Sequence, residues 1–177
     1  MKKNLPKPIV AVIMGSDSDL PMMKGASDIL TTFAIPHIVS IVSAHRTPTR
    51  LYEFATKAHS RGIKLIIAGA GGSAHLPGMT AALSLCPVIG VPIETKSLKG
   101  VDSLYSILQM PKGVPVATVA INGAENAGLL AVQMLSINDP LLKKKLEVFK
   151  KKMSQDVLAI AKKLEQGGPE NYLQELK

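Results

Sequence analysis

Five short apolar runs, each closed by glycine, proline or small polar residues, constrain this chain more than any other feature of it. They occupy residues 8–14, 37–42, 63–68, 87–92 and 114–121, and segments of helical spacing follow them. Pro8-Ile9-Val10-Ala11-Val12-Ile13-Met14 is apolar throughout, without the alternation of a half-exposed strand. A strand buried on both faces reads this way. Buried strands alternating with helices predict an α/β fold, a parallel sheet covered by helices on both sides.

The intervening segments carry their own punctuation. Helices are expected over 19–32, 48–61, 79–85, 101–110 and 123–137. The first has Met22, Met23, Ala26, Ile29, Leu30 and Phe33 at core-facing spacing. The second has Leu51, Phe54, Ala55 and Ala58, and Gly62 stops it. Asp102 or Ser103 is the expected cap of the fourth. From Asp139 the pattern changes: Leu142, Leu146, Phe149, Met153, Val157, Ile160 and Leu164 recur every three or four residues, with lysines between. That stripe predicts a long amphipathic helix packed on the body or on a neighbouring subunit, ended by Gly167-Gly168-Pro169 before a short tail. The 177 residues read as one domain, with a core over 8–138 and the amphipathic helix over 139–166.

A net charge of +8 suggests nucleic acid until it is located. Residues 1–7 contribute +3, residues 8–140 only +1, and residues 141–177 the remaining +4. Aromatic residues make up 3% of the chain, so no basic, base-stacking surface is built into the body. Nucleic acid is not an expected partner. The single Cys86 excludes an internal disulfide and any cysteine-based metal site, and fits a cytoplasmic protein. Its apolar surroundings mark it as a small buried residue. Pro6 and Pro8 interrupt the chain just after its basic start, so no signal peptide is expected, and no run reaches membrane-spanning length.

Ligands of open parallel sheets bind outside the carboxyl ends of the strands, where strand order reverses. Three loops follow the first three runs, and each carries chemistry. Gly15-Ser16-Asp17-Ser18-Asp19 offers backbone N–H groups, hydroxyls and carboxylates, but is neither G-x-G-x-x-G nor a Walker A sequence. Taken by itself it reads first as ordinary helix capping by Ser16, Ser18 or Asp17. Ser43-Ala44-His45-Arg46-Thr47-Pro48 puts an imidazole and a guanidinium at a helix start, where Thr47 or Ser43 can cap. That is an anion site with a proton carrier beside it, or a helix start that happens to carry a surface His and Arg. Gly69-Ala70-Gly71-Gly72 brings bare backbone to the sheet edge, and His75 stands at the entry to the next helix, structural or catalytic. His37 and His59 lack such context and read as structural. There is no H-E-x-x-H and no G-x-S-x-G, so neither a metal nor a serine triad is expected. A phosphorylated small molecule and one or two proton-handling histidines remain.

In order and spacing these loops, with Asp102-Ser103-Leu104-Tyr105-Ser106-Ile107-Leu108-Gln109-Met110-Pro111, resemble the bacterial N5-carboxyaminoimidazole ribonucleotide mutases of de novo purine synthesis, over about residues 8 to 165. The resemblance implies a flavodoxin-like three-layer sandwich and a homo-octamer with active sites at subunit junctions. It implies a reaction that moves a carboxylate from the exocyclic nitrogen of an aminoimidazole ribonucleotide to ring carbon 4, through carbon dioxide held in the pocket. It implies His45 as general acid/base and His75 near the reacting group. Ser16, Asp19 and Arg46 fall at ribonucleotide-binding positions, with Ser18 and Ser43 as further contacts and Gly71, Gly72 and Ser73 lining the carbon dioxide pocket. No cofactor is required. Ser73 stands where the pattern usually has Ala, and Asp17 where it commonly has a basic residue. The alternatives are the related carboxylase, which uses free carbon dioxide, and a flavodoxin-like module that binds a nucleotide without chemistry.

Overall fold

A computed structural model describes residues 7–176. Five parallel strands, β1 (Val10–Met14), β2 (His37–Ile41), β3 (Leu65–Gly71), β4 (Val88–Ile93) and β5 (Ala117–Thr118), form one sheet in the order 2-1-3-4-5. This is the flavodoxin-like doubly wound order, and its reversal lies between β1 and β3. The continuity of the apolar runs has its expected cause, since every residue of β1 and β4 is buried.

Between the strands run α1 (Leu20–Thr32), α2 (Pro48–Lys57), α3 (His75–Leu83), α4 (Val101–Leu108) and α5 (Ala124–Ser136). Both sheet faces are covered. Met23 of α1 meets Gly69 on one face, while Ile107 of α4 and Pro77 of α3 meet Gly90 on the other. Ala11, Ile13, Ile66 and Ala68 share the second face with Leu51, Ala55, Leu76 and Ile107 in one buried cluster. Burying such side chains contributes roughly 1.5–3 kcal/mol for each large aliphatic one. Among the described residues no helix is long and apolar enough to cross a membrane.

The chain gathers into two compact units, one ending at Met134 and the other beginning at Leu135, four residues before the boundary expected at 139. In the second, α6 (Pro140–Glu175) is capped by Asp139, whose side chain accepts from Leu142 N–H at 3.0 Å. Leu142 and Leu146 are buried, whereas Met153, Val157, Ile160 and Leu164 are exposed. Gly168 (φ 74°, ψ 160°) breaks the helix as expected, but the chain re-enters helix from Pro169, so the tail is helical through Glu175.

Other expectations are corrected. The fifth strand shrinks from eight residues to two, Ala117–Thr118. Pro115 has no N–H to give a ladder, and this run is an edge with one neighbour. Its continuation is held by separate bonds, Val119 N–H to Gly90 O at 3.1 Å and Asn122 N–H to Pro92 O at 2.8 Å. The helix expected from 79 starts at His75. Pro77 falls in its first turn, where a missing N–H leaves no bond unmade. Met22 is 42% exposed rather than core, because α1 turns Met23, Ala26 and Leu30 inward. The cap of α4 is Gly100 at φ 87°, not Asp102 or Ser103, whose side chains are engaged elsewhere.

Candidate active site

Parallel pairing puts the exits of β1, β2, β3 and β4 on one edge of the sheet, and the loops there enclose a cavity of about 430 Å³. That volume suits a small-molecule ligand. Gly15, Ser16, Ser18 and Asp19 line it from the first loop. Ser43, His45 and Arg46 come from the second, and Gly71, Ser73 and His75 from the third. Of the ten residues to which the resemblance gives a site role, nine therefore face a common space. Gly72 is the exception: its N–H donates to Ser103 Oγ at 2.8 Å and its carbonyl accepts from Ser106 Oγ at 3.2 Å. It braces the cavity from outside.

The second loop closes on itself before it turns into α2. Thr47, the residue before the helix, does not cap it; its hydroxyl accepts from Ser43 N–H at 3.1 Å and donates to Ser43 O at 3.0 Å. The buried Ser43 hydroxyl accepts in turn from Arg46 N–H at 3.2 Å and from Arg46 Nε at 3.4 Å. Arg46 Nη2 reaches across to donate to Gly15 O at 2.9 Å. One guanidinium thus joins the first two loops and leaves a fixed positive charge at the cavity mouth, the form of charge that suits a phosphate or carboxylate.

His45 and His75, thirty residues apart in sequence, meet there. His45 Nε2 lies 2.8 Å from His75 Nδ1, with the rings edge to face at 78°. One of these nitrogens donates and the other accepts, so the two imidazoles share a proton along a line of hydrogen-bond length. His37, by contrast, bonds Ser27 Oγ at 2.7 Å and Ile35 O at 2.8 Å, the structural role expected of it.

The two carboxylates of the first loop differ. The Ser16 hydroxyl, donating to Asp17 Oδ1 at 3.0 Å, chiefly holds the Asp17 carboxyl below the usual range, with backbone N–H groups and Arg46 adding to it. Burial pushes the Asp19 carboxyl up, against the opposing pull of the Ser16 and Ser18 groups and Arg46. The first loop thus holds one carboxylate fixed as an anion and one more easily protonated.

Ile93, Glu94 and Thr95 complete the wall from the end of β4, and sequence reasoning missed them as site residues. The signal was available, because the rule applied to the first three strand ends applies equally to the fourth. Asn122 (φ 58°) fixes Glu94 twice, accepting from its N–H at 3.0 Å and donating to Oε2 at 3.1 Å.

Residues 9–156 match the family model described as AIR carboxylase. The chain is 59% identical to the N5-carboxyaminoimidazole ribonucleotide mutase of Pyrococcus horikoshii, covering 96% of each chain. It is 60% identical, over 95% of its length, to the phosphoribosylaminoimidazole carboxylase of Candida glabrata, but spans only 30% of that protein. Among solved structures, that of Treponema denticola PurE superimposes with a TM-score of 0.81 at 30% identity, over 89% of this chain and 98% of that one.

Proposed function

The chain belongs to the AIR carboxylase family and is an enzyme with the N5-carboxyaminoimidazole ribonucleotide mutase activity of relatives matched over nearly their whole length, and we propose that the reaction runs in the cavity between its first four strand ends. The observation that carries this reading is the His45–His75 pair, 2.8 Å apart beside a fixed guanidinium in a cavity sized for a small ligand.

The chemistry needs a proton given and a proton taken back. His45, as general acid, delivers a proton to the exocyclic nitrogen. The nitrogen–carboxyl bond breaks, its electron pair stays on nitrogen, and carbon dioxide is released into the pocket. Ring carbon 4 attacks that carbon dioxide and forms the new carbon–carbon bond. The proton on carbon 4 then returns to His45, so the cycle closes without net gain or loss of protons. His75 shares the proton of His45 while the ring changes state. Arg46 meets the phosphate or carboxylate, Ser16, Ser18 and Ser43 supply hydroxyls, and Asp19 accepts from the sugar. Gly71 and Ser73 wall the space in which carbon dioxide waits, and bare glycine backbone lets it sit close to the ring.

Supplying the purified protein with each ribonucleotide tests the assignment. Conversion of the carboxyamino ribonucleotide without added bicarbonate is the expected result. Turnover only of the unmodified ribonucleotide with bicarbonate overturns it in favour of the carboxylase.

Asp19 gives a pH dependence whose sign is fixed by the burial that raises its carboxyl. A raised carboxyl stays protonated to higher pH than an ordinary one, so the acid-side loss of kcat/KM begins at higher pH than an ordinary aspartate would give. Asp19→Asn lowers kcat/KM at neutral pH and removes that limb from the profile. Stability runs the other way: the half-buried carboxyl favours the fold when protonated, and that contribution is lost as pH rises through its raised folded value.

The protein works as a homo-octamer in the cytoplasm. The apolar residues Val39, Ile41, Val101, Tyr105 and Leu108, all exposed on one chain, support burial against other copies. Light scattering is expected to return eight protomer masses of 18.8 kDa, and a monomer mass overturns this.

A further inference from the structure

The segment Asp102-Ser103-Leu104-Tyr105-Ser106 carries part of the family likeness, yet none of its side chains lines the cavity. Its two serine hydroxyls reach the glycine that leads to the reacting histidine. Ser103 is fully buried, and its Oγ both donates to Ile93 O at 2.7 Å and accepts from Gly72 N–H at 2.8 Å. It therefore ties the end of β4 to the loop after β3. Ser106 Oγ takes the other side of the same glycine with the one proton it has, shared between Asp102 O at 2.7 Å and, more weakly, Gly72 O at 3.2 Å. Asp102 Oδ1 accepts from Thr95 Oγ1 at 2.8 Å, and Thr95 is itself part of the cavity wall.

The chain between Gly72 and His75 has little slack. Gly72 sits at φ 67°, its carbonyl accepts from Ala74 N–H at 2.8 Å, and Ser73 O accepts from His75 N–H at 2.8 Å. His75 then opens α3 and meets His45. The position of the Gly72 peptide is thus passed through two tight turns to the imidazole. A buried hydroxyl with both its bonds made is the rigid kind of support that fixes a neighbouring group to a fraction of an ångström.

We propose that Ser103, assisted by Ser106, is a positioning residue of the mutase site: by gripping both polar groups of Gly72, α4 sets the Gly71–Ser73 wall and the His45–His75 distance. The proposal rests on the reading of this cavity as the place of the mutase reaction. Misplacing a reacting group by about 1 Å costs on the order of 100-fold in rate, and ligand contacts made by the other loops do not depend on this grip. Ser103→Ala is expected to lower kcat about 100-fold with KM held within about threefold. It is also expected to release decarboxylated ribonucleotide in place of part of the product. Ser106→Ala, which leaves Ser103 in place, should move kcat and the product ratio in the same direction by a smaller factor, and it decides the matter where Ser103→Ala does not fold. A second readout is independent of turnover, the NMR signal of the proton shared by His45 and His75, expected to shift or broaden in both variants. Lower thermal stability with kcat, the product ratio and that signal unchanged overturns the proposal, since the hydroxyls then hold only the fold. If the unsubstituted protein fails to convert the carboxyamino ribonucleotide, the functional reading falls, and the shared-proton signal alone decides whether Ser103 positions His75.

Discussion

His45→Asn is expected to abolish turnover and to leave ribonucleotide binding intact. Asn keeps polar atoms near the place of the imidazole but cannot carry a proton between pH 5 and 8, which is the one property the reaction needs twice. General acid–base catalysis contributes about 10²–10⁴ in rate, so kcat should fall by at least that range while Kd, read by calorimetry, moves little. Arg46 explains the second half of the expectation. It is held by Gly15 O and Ser43 Oγ, not by His45, so the anion contact survives the substitution. His75 cannot replace the lost group unaided, because its partner at 2.8 Å no longer exchanges a proton with it. Unchanged turnover in His45→Asn removes the proton-transfer role, and the cavity is then a binding site of the same fold. A loss of binding equal to the loss of rate points instead to a loop that fell apart.

Much of this site is legible in the sequence, for a physical reason. The central strands β1, β3 and β4 are covered on both faces, so they show as unbroken apolar runs, and the polar or glycine residues at their ends stand out against them. The topology then dictates that Gly15–Asp19, Ser43–Pro48 and Gly69–His75 meet at one edge, which they do. Sequence does not carry the choice a hydroxyl makes among nearby partners. Thr47, Asp102 and Ser103 all have the composition of helix caps, and all bond elsewhere, to Ser43, Thr95 and the Gly72–Ile93 pair. Those choices depend on groups four to thirty-one residues away. The fifth strand failed for a related reason. Its apolar residues announce burial, but at the sheet edge residues 114–121 are at most half-buried with one neighbouring strand, and Pro115 removes a donor. The bond between His45 and His75 was equally invisible, since neither residue carries a local mark of the other.

Gly90→Ala should unfold the protein at a visibly lower temperature and lower its activity at the same time. Gly90 lies in β4, between β3 and β5, paired with Ala68 and Thr118. A Cβ there would stand 2.5 Å from Ile107 Cγ2, 2.9 Å from Val116 Cγ1 and 3.4 Å from Pro77 Cβ. Ile107 is fully buried and has no open direction to move, so α4 must lift from the sheet. Overpacking of this kind costs about 1–3 kcal/mol. At this chain length each kcal/mol lowers Tm by roughly 2–4 °C. The consequence for function depends on which helices are pushed. α4 bears Ser103 and Ser106, and Pro77 lies two residues beyond His75 in α3. Displacing either one loosens the support of the Gly72 peptide and the histidine it positions. Gly167→Ala is the contrast, because nothing lies within 4 Å of a Cβ at that position and its backbone conformation accepts one. That substitution should leave Tm equal or slightly higher, since alanine restricts the unfolded chain more than glycine does. Equal Tm in the unsubstituted protein and Gly90→Ala would show that α4 yields without cost, and the rigidity assigned to its grip on the active site would fall with it.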